Sequence, residues 1–174
     1  MLKRRAASAR AAMSAAKYLV YATVISIFGV FIWGAFLSGS GYGAACGTGG
    51  SSLFTSSWPY CNGTLGFPSS WPAQVEYIHR AMSILATVLL VGSNIAVWRM
   101  SPRPTGAAQI LLLALALLVV EIFLGGVVIE ASLNVAIGTV SLTTATTVFG
   151  LLVLAGDRMY LFEKKPSLAE APKL

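Results

Sequence analysis

The segment that decides the fold is TGAAQILLLALALLVVEIFLGGVVI, from Thr105 to Ile129. It carries one charged residue, Glu121, in a run that otherwise consists mainly of Leu, Ala, Val and Ile. A helix needs about 20 apolar residues to cross the hydrocarbon core of a bilayer. The segment therefore predicts a transmembrane helix with a carboxyl group inside the membrane.

Three further segments of similar length predict four membrane spans in all, at residues 18–38, 73–98, 105–129 and 133–155. The chain is 56% hydrophobic and 10% charged, whereas a soluble domain carries roughly 25% charged residues. Short connections between the last three spans make consecutive helices antiparallel neighbours. We therefore expect an all-α integral membrane protein, an antiparallel four-helix bundle over residues 18–156, with polar tails over residues 1–17 and 157–174.

The basic residues predict the orientation of this bundle. Eleven of the twelve Lys and Arg residues lie in the two tails or between the second and third spans, which is one side of a four-span protein. No charged residue lies between Tyr18 and Val75. The positive-inside rule then predicts that both termini are cytoplasmic. The expected location of the bundle is the plasma membrane. The net charge of +6 therefore reflects membrane topology and not nucleic acid binding.

A cleaved signal peptide is the competing interpretation of the N-terminus, because a basic start precedes an apolar run and Ala44-Ala45 precedes Cys46. The apolar run is longer than the core of a typical signal peptide. Its removal would also leave three spans and place the remaining basic segments on opposite sides of the membrane. The four-span interpretation is the one that we adopt.

A long loop, residues 39–72, joins the first two spans and contains both cysteines, Cys46 and Cys61. We expect this loop on the external face, where oxidising conditions favour a disulfide. Such a bond would close a ring of about 15 residues and stabilise the fold by about 3 kcal/mol in the chain-entropy model. A redox-active thiol pair is the alternative that the sequence leaves open.

Three ionisable side chains lie within about one turn at the start of the second span, in the motif EYIHR at residues 76–80. Charges are costly in lipid, so the cluster of Glu76, His79 and Arg80 indicates a functional site. His79 is the one histidine of the chain, and histidine binds metals and heme iron. The alternative is a structural Glu76–Arg80 pair beside a histidine that is hydrogen-bonded to a neighbouring helix.

Two polar residues of the later spans lie at a similar depth. At about 1.5 Å per residue from the outer ends of their spans, Glu121 and Ser141 lie about 12 Å deep, and His79 about 8 Å deep. This predicts one pocket that opens toward the long loop. For Glu121 the functional alternatives are pairing with Arg80, proton relay and ligand binding, and the structural alternative is a hydrogen bond between helices.

The ordered set of motifs resembles the heme A synthase family. The motifs are SGSG at 38–41, ACG at 45–47, WPYCNG at 58–63, EYIHR at 76–80 and FLGG at 123–126. Members of that family usually have eight spans in two similar halves, and this chain resembles the first half. The resemblance therefore implies a half-size member.

The resemblance also implies a chemistry. The family converts heme O to heme A by oxidising a heme methyl group to a formyl group, with oxygen supplied by water. By resemblance, His79 is an axial ligand of heme iron, Glu76 is the catalytic carboxylate beside it together with Arg80, and Cys46 and Cys61 are the external cysteine pair. The implied ligands are heme B as cofactor and heme O as substrate, between the second and fourth helices.

The chain departs from the family pattern at two positions. Ser141 stands where the fourth span usually supplies a second histidine, and Phe36 stands where an arginine usually precedes the glycine motif of the first span. A heme with two histidine ligands from one chain is therefore excluded. We expect Ser141 and Glu121 to contact the cofactor, and five-coordinate heme, a ligand from a second chain and the absence of heme all remain open.

Three functions follow from these observations. The first is heme A synthesis in the lipid bilayer, by a homo-oligomer or together with a second half-size partner. The second is an accessory or structural subunit of a respiratory terminal oxidase, in which the EYIHR cluster serves helix packing. The third is a quinone-linked thiol oxidoreductase that uses Cys46 and Cys61.

Overall fold

The computed structural model of the chain describes residues 2–47, 61, 63–130 and 134–164, with side chains from Arg10 onward except at 129 and 130. Four long helices make up most of this part: α1 (Leu2–Ser40), α2 (Trp71–Trp98), α3 (Thr105–Glu130) and α4 (Val135–Lys164). A single 3₁₀ turn, Tyr42–Ala44, follows α1. All four helices are long and apolar enough to cross a membrane, which agrees with the predicted all-helical, four-span fold.

Local sequence explains where the helices begin and how far they extend. Pro72 lies in the first turn of α2, where its missing N–H removes no helical hydrogen bond. The side-chain oxygen of Asn134 caps α4 by accepting hydrogen bonds from the N–H groups of Ala136 and Ile137, at 3.0 and 3.4 Å. α1 continues through the basic N-terminal segment because that segment is rich in Ala and Arg, which favour helix.

Hydrogen bonds show that α1 and α2 run antiparallel. Thr23 near the middle of α1 bonds Ser93 near the end of α2, with 2.9 Å between the hydroxyl oxygens. Trp33 near the end of α1 donates from Nε1 to the carbonyl of Val75 near the start of α2, also at 2.9 Å. The two contacts lie at opposite ends of the helix pair.

The remaining helices complete a closed ring, in which α2 packs on α3, α3 on α4, and α4 on α1. Asn94 near the end of α2 donates from Nδ2 to the carbonyl of Leu111 in the first half of α3, at 3.2 Å. Lys17 on α1 forms an ion pair with Glu163 at the end of α4. The start of α1 and the end of α4 therefore lie at the same end of an antiparallel bundle.

The hydrophobic core fills the half of the bundle that contains this Lys17–Glu163 pair, which we call the terminal half. Small side chains let the helices approach closely there; a Cβ on Gly156 of α4 would lie 3.1 Å from the ring of Tyr21 on α1. The buried residues of this core are Ala16, Val20, Ile27, Ala86, Leu90, Val97, Ala107, Ala108, Leu111, Ala114, Val148, Leu152, Ala155 and Met159.

The other half, which we call the loop half, is packed unevenly. On α1 and α2 it contains buried side chains, among them Leu37, Val75 and Glu76. No described side chain of α3 after Ala114 or of α4 before Val148 is buried. One side of the loop half is therefore tightly packed, while α3 and α4 present largely accessible surfaces.

Candidate functional site

The first component of the site is a disulfide between Cys46 and Cys61, which the structure contains as predicted. Both residues are buried, and they pack against Ala73 in the first turn of α2. Residues 48–60 and Asn62, including most of the WPYCNG motif, lie outside the described residues. The burial of both sulfurs favours a structural crosslink over a reactive thiol pair, because exchange requires access to sulfur.

Glu76 is held between this disulfide and Arg80. Its Oε2 accepts a hydrogen bond from the backbone N–H of Cys46 at 2.7 Å. Its Oε1 accepts from Nε of Arg80 at 3.1 Å and also from Nη2 in an ion pair. Both residues are buried, with 2% of Glu76 and 6% of Arg80 exposed. A carboxylate this far from water is stabilised by these charge-assisted bonds.

These contacts limit what Glu76 can do chemically in this conformation. Oε1 accepts two bonds from Arg80, whereas Oε2 accepts one described bond, from the Cys46 N–H, so Oε2 is the oxygen with room for a proton. The Cys46 N–H is the weaker partner, because it is neutral, whereas Arg80 is a cation. The geometry therefore combines the predicted Glu76–Arg80 pair with a contact to the loop that the sequence analysis did not anticipate.

His79 lies one turn from Val75 and packs against α1. A Cβ added to Gly34 of α1 would come within 3.1 Å of Cε1 of the imidazole. Nδ1 of His79 is buried and has no hydrogen-bond partner among the described residues. A buried polar atom without a partner is uncommon in native proteins and requires an explanation. The structural alternative was a histidine hydrogen-bonded to a neighbouring helix. Nδ1 of His79 forms no such bond with the described residues.

Glu121 and Ser141 meet between α3 and α4. The Ser141 hydroxyl donates to Oε1 of Glu121 at 2.6 Å, while Oε2 of Glu121 is buried without a partner in the described part of the chain. Of the alternatives for Glu121, these residues form the hydrogen bond between helices, and Arg80 pairs with Glu76. The described hydrogen bonds of the predicted pocket residues therefore form two sets: one on α1, α2 and the loop, the other on α3 and α4.

Two residues of the site, Trp33 and Gly34, were not identified from the sequence. They lie in an apolar run in which neither carries a polar or charged signal that would single it out. Within the described ranges, no group of three His, Cys, Asp or Glu residues could hold a metal ion. The chemistry of the site would therefore depend on a single imidazole and on two carboxyl groups, Glu76 and Glu121.

Comparison with known proteins identifies the family. The model of a family described as cytochrome oxidase assembly protein, COX15-CtaA, matches residues 1–153 of the chain. The chain belongs to this heme A synthase family. The predicted resemblance is thereby confirmed, and the four apolar helices with this membership make it a multi-pass membrane protein.

Two curated relatives are similar to parts of this family member. A heme A synthase of Symbiobacterium thermophilum is 36% identical over 74 residues, which is 42% of this chain and 22% of the relative. A protoheme IX farnesyltransferase 1 of Natronomonas pharaonis is 28% identical over 136 residues, or 78% of this chain and 26% of the relative. The matched regions are thus about a quarter of the length of these relatives. No solved structure gives a significant match.

Proposed function

We propose that the chain is a half-size heme A synthase, which binds heme through His79 and oxidises a methyl group of heme O to the formyl group of heme A. The observation that carries the proposal is His79 itself, whose Nδ1 is buried without a partner among the described residues, one turn from the buried Glu76. Membership of the heme A synthase family supports the heme chemistry.

The residues of the loop half fit a bound heme. His79 supplies an imidazole, the commonest axial ligand of protein heme. No described side chain of α3 after Ala114 or of α4 before Val148 is buried. An apolar planar group could therefore cover these two surfaces. Bound heme would supply a redox-active iron, and heme B as cofactor and heme O as substrate are the two candidates.

Glu76 would then serve as the proton-handling carboxylate. Arg80 pairs with Oε1, and Oε2, whose described partner is the neutral Cys46 N–H, would be the oxygen that accepts a proton during oxidation of the substrate. Glu121 and Ser141 would present a polar surface on the opposite helices, where Ser141 replaces the usual histidine. Because this chain has one histidine, a second iron ligand would come from a second copy or from a different half-size partner.

The arrangement in the membrane follows from the charge distribution. The tails at residues 1–17 and 157–174 would lie in the cytoplasm, and the loop with its disulfide would lie outside the plasma membrane. Glu76, His79, Glu121 and Ser141 would then all lie in the outer leaflet. An external location also agrees with an oxidised cysteine pair.

The decisive experiment is a reduced-minus-oxidised visible spectrum of the purified protein beside His79→Ala. We expect heme bands in the wild type that are lost in His79→Ala. Tyr77→Phe serves as control, because it removes only a hydroxyl that donates to the Leu65 carbonyl. Folded wild-type protein without heme would overturn the proposal.

A second experiment tests turnover separately from binding. In cells that make heme O, we expect the wild type to produce heme A and Glu76→Ala to produce none, while Tyr77→Phe remains active. Extraction of total heme and separation of heme B, O and A measures the outcome. Undiminished heme A with Glu76→Ala would show that Glu76 is not the catalytic carboxylate.

Loss of the second histidine favours another candidate, an accessory subunit of a terminal oxidase complex. In that case Glu76 would serve only to hold α2 against the loop, through the bond from the Cys46 N–H. We would then expect the chain to purify with oxidase subunits at fixed stoichiometry and without its own heme. Recovery only as a heme-containing homo-oligomer would exclude this candidate.

A further inference from the structure

Two consecutive residues of α1 contact the turn of α2 that carries His79. Trp33 donates from Nε1 to the carbonyl of Val75 at 2.9 Å. Gly34 faces the imidazole of His79, so that a Cβ at position 34 would lie 3.1 Å from Cε1 and 3.7 Å from Nε2. Both contacts join the same two helices within one turn, on the well-packed side of the loop half.

The Trp33 bond acts on the backbone of His79. In an α-helix each N–H donates to the carbonyl four residues earlier, so the Val75 carbonyl is also the acceptor for the N–H of His79. A carbonyl oxygen has two lone pairs and can accept both bonds. The indole of Trp33 therefore holds the turn from which the histidine side chain extends.

The Gly34 contact acts on the ring. Contacts of a Cβ at 3.1 Å are tighter than ordinary van der Waals distance, and the atom opposite Gly34 belongs to a rigid five-membered ring. A Cβ at this position would push the imidazole by a few tenths of an ångström and turn it away from its present χ angles. Gly29, one and a half turns earlier on α1, has the same 3.1 Å clearance to Cε of Met82, the end of a flexible side chain.

We propose that the Trp33-Gly34 pair is a positioning element for His79: Trp33 fixes the height of its turn along α2, and the missing Cβ of Gly34 fixes the plane of its ring. The consequence for heme rests on the proposed function, but the positioning itself does not. Gly34 and Trp33 would contact neither substrate nor iron, and they would act only through His79.

The single histidine of the chain gives a readout that needs no heme. Protein labelled at the histidine ring carbons, purified with a tag free of histidine, reports His79 alone by NMR. We expect Gly34→Ala to shift the ring signals of the heme-free protein, whereas Gly29→Ala leaves them in place because Met82 can move aside. Identical ring signals in these two variants would overturn the inference.

The tryptophan contact is tested in the same way, which also covers the case that Gly34→Ala does not fold. Trp33→Phe removes the indole N–H but keeps an aromatic ring, and we expect it to shift the His79 signals. Trp98→Phe is its control, because Trp98 stacks on Arg103 at the far end of α2. Equal His79 signals in Trp33→Phe and the wild type would reject the backbone part of the proposal.

Heme titration then separates this inference from the proposed function. We expect Gly34→Ala to bind heme B about three- to tenfold more weakly than Gly29→Ala, since the imidazole is turned away from its preferred χ angles. If the wild type binds no heme while Gly34→Ala still shifts the His79 signals, the proposed function fails and the positioning role stands. Equal heme affinity of the two glycine variants, with equal ring signals, would contradict the positioning role.

Discussion

The backbone N–H of Cys46 donates a hydrogen bond to Oε2 of Glu76 over 2.7 Å, which connects the disulfide-bonded loop to the carboxylate of the candidate site. The same carboxylate pairs with Arg80 one turn further along α2. The loop and the ionisable cluster, which are 30 residues apart in the sequence, are therefore parts of one structure. A change in either is expected to affect the other.

We expect Glu76→Gln to destabilise the fold strongly although the two side chains have nearly the same shape, because Glu76 belongs to a buried ion pair. The amide removes the negative charge that pairs with the buried Arg80 guanidinium, and removing one partner of a buried pair costs about 3 to 5 kcal/mol. We expect a lower thermal unfolding midpoint in detergent together with loss of heme A formation. Glu163→Gln is the control, because it breaks a more accessible pair with Lys17 at the other end of the bundle. Equal effects of the two substitutions would contradict this prediction.

Removal of the disulfide should loosen the loop and, through it, Glu76. The two cysteines are 15 residues apart, and the chain-entropy model assigns a crosslink of that length about 3 kcal/mol. We expect the Cys46→Ala, Cys61→Ala double variant to unfold at a lower temperature than the wild type and to be insensitive to reductant. Addition of reductant should lower the midpoint of the wild type toward that of the variant, and a wild-type midpoint unaffected by full reduction would speak against this role.

The hydroxyl of Ser141 should matter more than the neighbouring hydroxyls of α4. Ser141→Ala removes the donor to Oε1 of Glu121, whose Oε2 has no partner among the described residues. We expect a cost of about 1–2 kcal/mol. Thr146→Val is a suitable control, since its hydroxyl bonds only the Leu142 carbonyl of its own helix. Denaturant unfolding of both variants gives the comparison; a larger loss from Thr146→Val would refute the assignment.

The pair of Thr23 and Ser93 should contribute little despite its burial. Thr23 donates its one hydroxyl proton to the Leu19 carbonyl at 2.9 Å and accepts from Ser93, so it keeps a partner when Ser93 is removed. Double-mutant cycles in membrane proteins average about 0.6 kcal/mol for such hydrogen bonds. We expect a coupling of about that size from Thr23→Val and Ser93→Ala. A coupling above about 2 kcal/mol would mean that the pair organises the helix contact.

A histidine at position 141 should change the coordination of heme. If Ser141 occupies the place of the family's second histidine, Ser141→His would offer a second axial ligand opposite His79. In protein separated from the chain that would supply the second ligand, we expect a shift from a high-spin to a low-spin spectrum in the ferric state, measured by visible absorption and electron paramagnetic resonance. An unchanged spectrum in a folded, heme-containing variant would indicate that position 141 does not face the iron.

Several features could be predicted from sequence because they depend on local composition. The number of spans follows from the length of the apolar segments, and the start of α2 and α4 follows from Pro72 and Asn134. The disulfide between Cys46 and Cys61 was anticipated as one of two alternatives. The depths of His79, Glu121 and Ser141 were estimated along each helix, where the rise per residue is constant.

The partners of those residues could not be predicted, because a partner depends on how each helix is rotated about its axis. From the sequence, Arg80 was one possible partner of Glu121. In the structure Arg80 pairs with Glu76, and Ser141 donates a hydrogen bond to Glu121. Trp33 and Gly34 carry no local signal, and their role appears only when α1 lies against the turn of His79.

The sequence by itself determined that this is a four-span helical protein of the heme A synthase family, with a cysteine-bearing loop and an ionisable cluster at the start of its second span. The tertiary structure decided which side chains meet: Cys46 with Glu76, Gly34 with His79, and Ser141 with Glu121. The physical reason lies in the solvent. Lipid is as apolar as leucine, so hydrophobicity fixes how long a span must be but does not determine which face turns inward.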